Sequence, residues 1–332
     1  MRFFRALWRF LVGVKDALVL LLMLAFFGTL YAALSTRPAT SIPQNAALTL
    51  NFSGIIVDQQ SEEPPFTVLT GGGGLTREIR LRDLVRSIDA ASDDKRIKAI
   101  VLDLDNFLGA GQGHLQAIGH ALSRFRAGGK PIYAYATAYT DDSYYLASHA
   151  NEIWLNGLGG VLLTGPGGAN LYFKTLLDRL GVDVEVFRVG TYKSFVEPFT
   201  LDGPSPEALE AAQSLADTLW ASWRVDVARA RPGAEVTPYL DTLPERVSQT
   251  GGDLAQAALR ARLIDKIGNR TAFARRMVEI VGQDQQRTPG RWSSVALSDY
   301  AAATQPCALA TGAAGGVVYV TGDMVGGEGE PR

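Results

Sequence analysis

The chain has 332 residues, 47% hydrophobic and 20% charged, with 32 Lys and Arg against 34 Asp and Glu for a net charge of −2. That length suggests about two domains with enough apolar material for a sizeable core, and the balanced charge excludes a polycationic nucleic-acid binder. A single cysteine, Cys307, excludes an intrachain disulfide framework, and the three histidines, His114, His120 and His149, stand in no metal-binding spacing, so neither a metal nor a cofactor is expected.

The N-terminus opens with Arg2, Arg5, Arg9 and Lys15 against one acid, Asp16. Residues 17–34, ALVLLLMLAFFGTLYAAL, follow without a charge. Eighteen helical residues nearly cross a hydrocarbon layer about 30 Å thick. The basic flank places residues 1–16 in the cytoplasm and everything after residue 36 outside. A cleaved signal peptide is the alternative, but its apolar core would be roughly 7–15 residues.

Residues 35–47 read as a Ser/Thr/Pro linker, and 48–57 (LTLNFSGIIV) alternates as a strand. A loop holds Pro64-Pro65 and Gly71–Gly74; without a following Lys-Ser/Thr the glycines are no phosphate cradle. From residue 81 strands and helices alternate. Helices are expected at 81–91, at the stripe Leu115, Ile118, Leu122 and Phe125, at 141–150 and at 171–180. Strands are expected at 98–104 (KAIVLDL), 131–136 (PIYAYA), 152–155 (EIWL) and 183–189 (DVEVFRV), with a Gly-rich stretch at 156–168. Strands recurring with helices between them imply βαβ crossovers and a largely parallel α/β sheet.

Ser205-Pro206-Glu207 starts a long helix running to about Arg231. Its apolar stripe is Leu209, Ala212, Leu215, Leu219, Trp223 and Val227; Trp220 and Trp223 suit packing against another domain or subunit, or core filling. Further helices are expected at 254–263 and 272–281. Residues 282–315 lack periodicity and read as a linker, and 317–321 (VVYVT) as a strand. The resulting expectation is a first unit at 48–281, the linker at 282–315, and a cut-short start of a second unit at 316–332.

The string RVGTYKSFVEPF at 188–199 resembles the long, two-domain form of the signal peptide peptidase A family, peptidase family S49. GKPIYA at 129–134, SYYLAS at 143–148, IWL at 153–155 and TGGD at 250–253 support the resemblance, as does the position of the apolar helix. It implies a ClpP/crotonase-like unit behind one transmembrane helix, in the bacterial inner membrane with its catalytic part periplasmic. It also implies a Ser/Lys dyad acting on signal-peptide remnants and other short hydrophobic peptides, and a homo-oligomer, tetrameric by the resemblance. Lys193 matches the family's lysine base. The serine belongs to a Gly-flanked motif of the second unit, which this sequence lacks; in the first unit, matched on the following tyrosine, Asp141 stands in its place. The chain by itself is therefore expected to be inactive.

A serine hydroxyl attacks only when a base takes its proton, and a lysine can do so if held neutral by apolar burial or a nearby positive charge. Lys193 is bracketed by Tyr192, Phe195, Val196 and Phe199, and Gly190 allows a sharp turn, so the local sequence suits burial, with the Thr191 and Ser194 hydroxyls able to hold the amine; a solvated surface lysine, as most lysines are, is the alternative from local sequence alone, and the family resemblance favours burial. Glu197, four residues on, would keep the amine charged if it touched it. Ser194 is no nucleophile for it, since neighbouring side chains in extended backbone face opposite ways.

Rival sites are weaker. A triad of His149 with Asp141, Asp142, Ser143 or Ser148 lacks a GxSxG elbow, and His149 reads as a capping cation or a satisfied polar group. His114 and His120 read as solvated, and Asp103 and Asp105 as loop and cap residues. Gly159-Gly160 and Gly165–Gly168 could offer N–H groups to an oxyanion. A non-catalytic membrane-anchored assembly module is the alternative to a peptidase. An acyl-CoA enzyme is disfavoured by the export signal.

Overall fold

The computed structural model describes residues 2–35, 42–61, 77–284 and 288–304. It divides into two units, Met1–Ser41 and Ile42–Arg332. The first is a single helix, α1 (Arg2–Ser35), containing the stretch Trp8–Tyr31, which is long and apolar enough to cross a membrane. The stretch begins nine residues before the expected 17–34 and takes in the Lys15–Asp16 ion pair at 3.0 Å.

The second unit is α/β. Its main sheet has six strands in the order β8-β7-β6-β4-β1-β9, all parallel: β1 (Ala46–Asn51), β4 (Ile97–Asp103), β6 (Ile132–Ala136), β7 (Glu152–Leu155), β8 (Lys266–Ile267) and β9 (Ser294–Ala296). A smaller parallel sheet runs β3 (Glu78–Arg80), β2 (Gly54–Val57), β5 (Phe107–Ala110). The expected strand 48–57 is thus two strands in different sheets. The break falls at Gly54, whose φ of +98° and a clearance of only 1.8 Å between a notional Cβ and the Arg77 carbonyl oxygen admit no side chain.

Strand periodicity explains why the main sheet reads as nearly continuous apolar sequence. Leu48, Leu50, Ile100, Leu102, Ile132, Ala134, Ile153 and Leu155 join one core. Helices α2 (Leu81–Asp93), α3 (Gln112–Ala127) and α4 (Asp141–Ser148) supply Leu84, Ile88, Leu115, Leu122, Phe125 and Tyr144 to it. The intervening Ala47, Ala99, Val101, Tyr133, Tyr135 and Trp154 join a second core. Both faces are therefore covered, as parallel sheets require.

After β7 come α5 (Lys174–Leu180), α6 (Glu197–Thr200), α7 (Pro206–Ala230), α8 (Val236–Asp241), α9 (Leu243–Gln249), α10 (Leu254–Arg260) and α11 (Arg270–Val281). Phe273, Met277 and Val281 of α11 complete the second core. Ser205 caps α7, its Oγ accepting the Ala208 N–H at 3.2 Å. Only the C-terminal half of α7 is packed. Trp223 and Val227 are buried, whereas Leu209 and Leu215 of the expected stripe are exposed.

Two expectations need correction. Residues 183–189 form no strand: the Val182/Val184/Val186 alternation finds no neighbouring strand to take its backbone groups, and the segment is almost wholly exposed. The segment 282–315, expected as a linker, holds β9 on the edge of β1 and α12 (Leu297–Thr304) beside α2. The glycine loop 71–74, the 317–321 strand and the 316–332 unit lie outside the described residues.

The anchor of α12 is Tyr300, buried, whose hydroxyl donates to Asp94 Oδ2 at 3.2 Å. Arg96 grips the same carboxylate through Nη2 at 2.8 Å and Nε at 3.0 Å. The Arg96 contact, partly opposed by burial, holds the Asp94 carboxyl down at about 2. A depressed folded-state value stabilises the protein above the ordinary value near 3.8 and is lost as pH falls through about 2. Asp94→Asn is therefore expected to cost about 2 kcal/mol at pH 7. Melting curves of wild type and variant should converge between pH 4 and pH 2, and parallel curves would show that the carboxylate is not the linked group.

Candidate active site

Lys193 lies in a turn closed by Arg188. The Arg188 Nη1 donates to the Lys193 carbonyl oxygen at 2.9 Å and pairs with the Glu197 carboxylate at 3.5 Å. Gly190 makes the bend, with φ +115°, and the Lys193 stem folds over it: a Cβ built on Gly190 would sit 3.6 to 3.7 Å from Lys193 Cγ, Cδ and Cε.

Glu197 does not reach the amine. It is buried at the start of α6, where it accepts the Ser205 N–H at 3.0 Å and the Ser205 Oγ–H at 2.7 Å. The two Ser205 bonds, then Arg188, hold its carboxyl below the usual carboxylate range. Among the described residues the Lys193 amine has no hydrogen-bond or ion-pair partner, the Thr191 and Ser194 hydroxyls included. The expected apolar burial is not found either. Lys193 is exposed, and its intended walls are open to solvent, Phe195 at 89% and Tyr192 at 59%. The reason is local: residues 171–201 carry their apolar side chains outward, with Phe187 95% and Val189 85% exposed. The stacked pair Phe173 and Phe199 (6.1 Å between centroids) and the Thr175–Asp202 bonds at 3.1 and 2.7 Å fold the stretch on itself.

Asp141, which the family resemblance sets at the serine's position, is the first residue of α4. Its carboxylate accepts the Thr164 and Gly165 N–H groups at 3.2 Å and the Thr164 hydroxyl at 3.0 Å. Asp142 Oδ2 accepts the Ala110 N–H at 3.0 Å, and burial raises its carboxyl. Of the glycine N–H groups expected to serve an oxyanion, that of Gly165 is thus committed to a carboxylate and that of Gly159 to the Asn156 carbonyl at 2.9 Å. Ser143 is spent on the capping box with Thr140.

The His149 triad does not assemble. The ring is buried, and Nδ1 lies 3.0 Å from Ser123 Oγ rather than from Ser143 or Ser148. Ser148 donates to the Tyr145 carbonyl. Burial first, then Arg126, lowers His149 to about 4, so at neutral pH it caps α4 uncharged; the capping-cation reading is wrong. His114 is not simply solvated, its Nε2 lying 3.2 Å from Asp58 Oδ2. Asp103 and Asp105 are both held by Arg270, at 2.7 and 2.8 Å, with the guanidinium 5.0 Å over the Tyr135 ring.

Arg188 and Ser205 were not foreseen as site residues. Arg188 opens the RVGTYKSFVEPF string, whereas Ser205 lies beyond it and is marked in the sequence only as the start of the long helix.

Comparison with known proteins agrees with the string. A family model, Peptidase family S49, matches residues 124–284. Protease 4 of Salmonella typhi is 34% identical over 339 residues, covering 99% of this chain and 54% of that protein. Protease 4 of Haemophilus influenzae is 38% identical over 232 residues, covering 68% of this chain and 38% of that protein. The chain thus spans about half the length, or less, of these curated relatives. Among solved structures, an enoyl-CoA hydratase/isomerase family protein from Silicibacter pomeroyi is 13% identical, with a TM-score of 0.33 over 61% of this chain and 69% of that one. With a matching family model across the core of the unit and relatives aligned on both sides of it, the chain belongs to peptidase family S49, the signal peptide peptidase A family.

Proposed function

We propose that this chain supplies the lysine half of a membrane-anchored serine peptidase that degrades signal-peptide remnants and other short hydrophobic peptides. The observation that carries the reading is the Lys193 turn. Arg188 fixes its backbone, and the Glu197 carboxylate is taken up by Ser205 and Arg188 rather than by the amine. Lys193 is the general base. Its amine takes the Oγ proton as a serine attacks the scissile carbonyl, then returns that proton to the leaving amine; water repeats the cycle on the acyl-enzyme. The serine comes from the part of the relatives that this chain does not cover, and its arrival brings the apolar cover that Lys193 lacks in the unit alone.

The 24 residues of Trp8–Tyr31 span about 36 Å as a helix, enough for a hydrocarbon layer of about 30 Å. The basic residues ahead of them put the N-terminus in the cytoplasm and the α/β unit on the periplasmic side of the inner membrane. An anchored site meets membrane-borne peptides at high effective concentration. The outward apolar side chains of residues 171–201 support assembly with further copies, a tetramer by the family resemblance.

A serine-reactive fluorophosphonate tests the reading on the complete gene product. Wild type is expected to be labelled, and Lys193→Ala to be labelled only slowly. Absence of label on wild type would favour a non-catalytic assembly module. Residues 1–332 alone are expected to leave casein and signal-peptide substrates intact; turnover that Lys193→Ala abolishes would place a sufficient serine in this half.

A further inference from the structure

The stretch that bears Lys193 leaves the α/β unit at Gly165 and returns to it at Trp220. Between Leu171 and Asp217, the hydrogen bonds and ion pairs found among the described residues close on another residue of that stretch, apart from those by which α7 itself continues past Asp217, such as Thr218 Oγ–H to the Ser214 carbonyl at 2.8 Å. Its position relative to the unit is therefore set at its root.

One residue holds both sides of that root. The Asp141 carboxylate takes the outgoing chain, through the N–H groups of Thr164 and Gly165 and the Thr164 hydroxyl, all at 3.0 to 3.2 Å. The Asp141 carbonyl takes the returning chain, accepting Trp223 Nε1–H at 3.1 Å. The two chains also pack on each other. Trp220 stacks on Trp223 with centroids 4.7 Å apart at 19°, and a Cβ on Gly165 would lie 3.5 Å from the Trp220 ring. A carboxylate is the side chain that suits this place, since it can accept from three donors at once and charge-assisted bonds are the stronger ones. A serine there would offer a single oxygen.

We infer that Asp141 is a positioning residue for Lys193: it occupies the nucleophile's place in this unit and uses it to fasten the arm that carries the base. The inference rests on the reading of Lys193 as general base, so its test has one arm that needs no activity.

In that arm, amide hydrogen exchange is followed across residues 161–165 of the purified chain. Asp141→Ala is expected to speed exchange of the Thr164 and Gly165 amides by about tenfold or more, and Asp141→Asn, which keeps an acceptor oxygen, by less. Unchanged exchange in both variants would overturn the clamp. In the second arm, kcat per fluorophosphonate-titrated site is measured on the complete protease. Asp141→Ala is expected to lower it about tenfold with KM nearly unchanged, and Asp141→Asn to restore most of the loss. A role confined to stability would lower the melting temperature and the number of titratable sites but leave kcat per site unchanged, and that result would sink the inference. Should Asp141→Ala fail to fold, the Asn variant carries both readouts. Full activity in Lys193→Ala would instead remove the reading of Lys193 while leaving the exchange result standing.

Discussion

Lys193→Ala is expected to lower kcat of the complete protease by about 10³-fold or more, with KM changed by less than about threefold. A general base acts on the proton in flight, so its removal strips transition-state stabilisation and leaves ground-state binding in place. The same substitution should barely move the melting temperature. The side chain is exposed, its stem lies over Gly190, and the turn is held by the Lys193 carbonyl, which alanine retains. Lys193→Arg keeps the charge and length but should be as inactive, because a guanidinium does not give up its proton in a protein. Burst kinetics with an ester substrate, read beside thermal melts, separate the cases. A fully active Lys193→Ala would remove the base; a variant that loses activity and folding together would make Lys193 structural.

The fold was legible where the chain is buried on both sides. KAIVLDL, PIYAYA and EIWL are short apolar runs bounded by turns, and they emerged as β4, β6 and β7 within one residue of the expected limits. A parallel strand between two helix layers needs little besides its own sequence to be recognised. Sequence reading failed where structure depends on a distant partner. Residues 183–189 have the alternation of a strand, but alternation specifies a face and says nothing of who supplies the ladder. Residues 294–304 showed no period, because β9 is three residues long and α12 is held by tertiary partners far away in sequence, among them Asp94, 206 positions from Tyr300.

The site divides in the same way. The string around Lys193 singled out the residue proposed as the base, but not the state of its surroundings. That Glu197 would turn to Ser205 and Arg188 rather than to the lysine depends on the bend at Gly190 and on the start of α7, two separate local structures. Asp141 was noticed only as a missing serine. Its hydrogen bonds to Thr164 and Gly165 cross 23 and 24 residues of chain and have no periodic signature.

Phe187→Asp is the second substitution expected to have a large effect, and its effect should fall on assembly rather than on folding. Phe187 is almost fully exposed on a stretch of chain that also exposes Val189, Phe195, Leu176 and Leu180. An exposed side chain contributes little to the stability of its own unit, so the melting temperature should shift by no more than about 0.5 kcal/mol would produce. Several large apolar side chains exposed along one stretch are costly to leave in water, and the occupant we propose for them is a second copy of the same protein. Aromatic residues at the centre of such contacts commonly contribute 2 kcal/mol or more, so a charge there should weaken self-association by about 30-fold or more. Sedimentation of the detergent-solubilised protein over a concentration series reads this directly. Wild type should sediment as an oligomer at concentrations where Phe187→Asp is monomeric. Peptidase activity should fall with the oligomer, since the Lys193 arm would then lose the apolar cover that a neutral amine requires. If the variant associates as wild type does, these side chains are covered from within the same polypeptide, by the part of the protease that supplies the serine. Activity would then be lost at every concentration instead of recovering as the protein is concentrated.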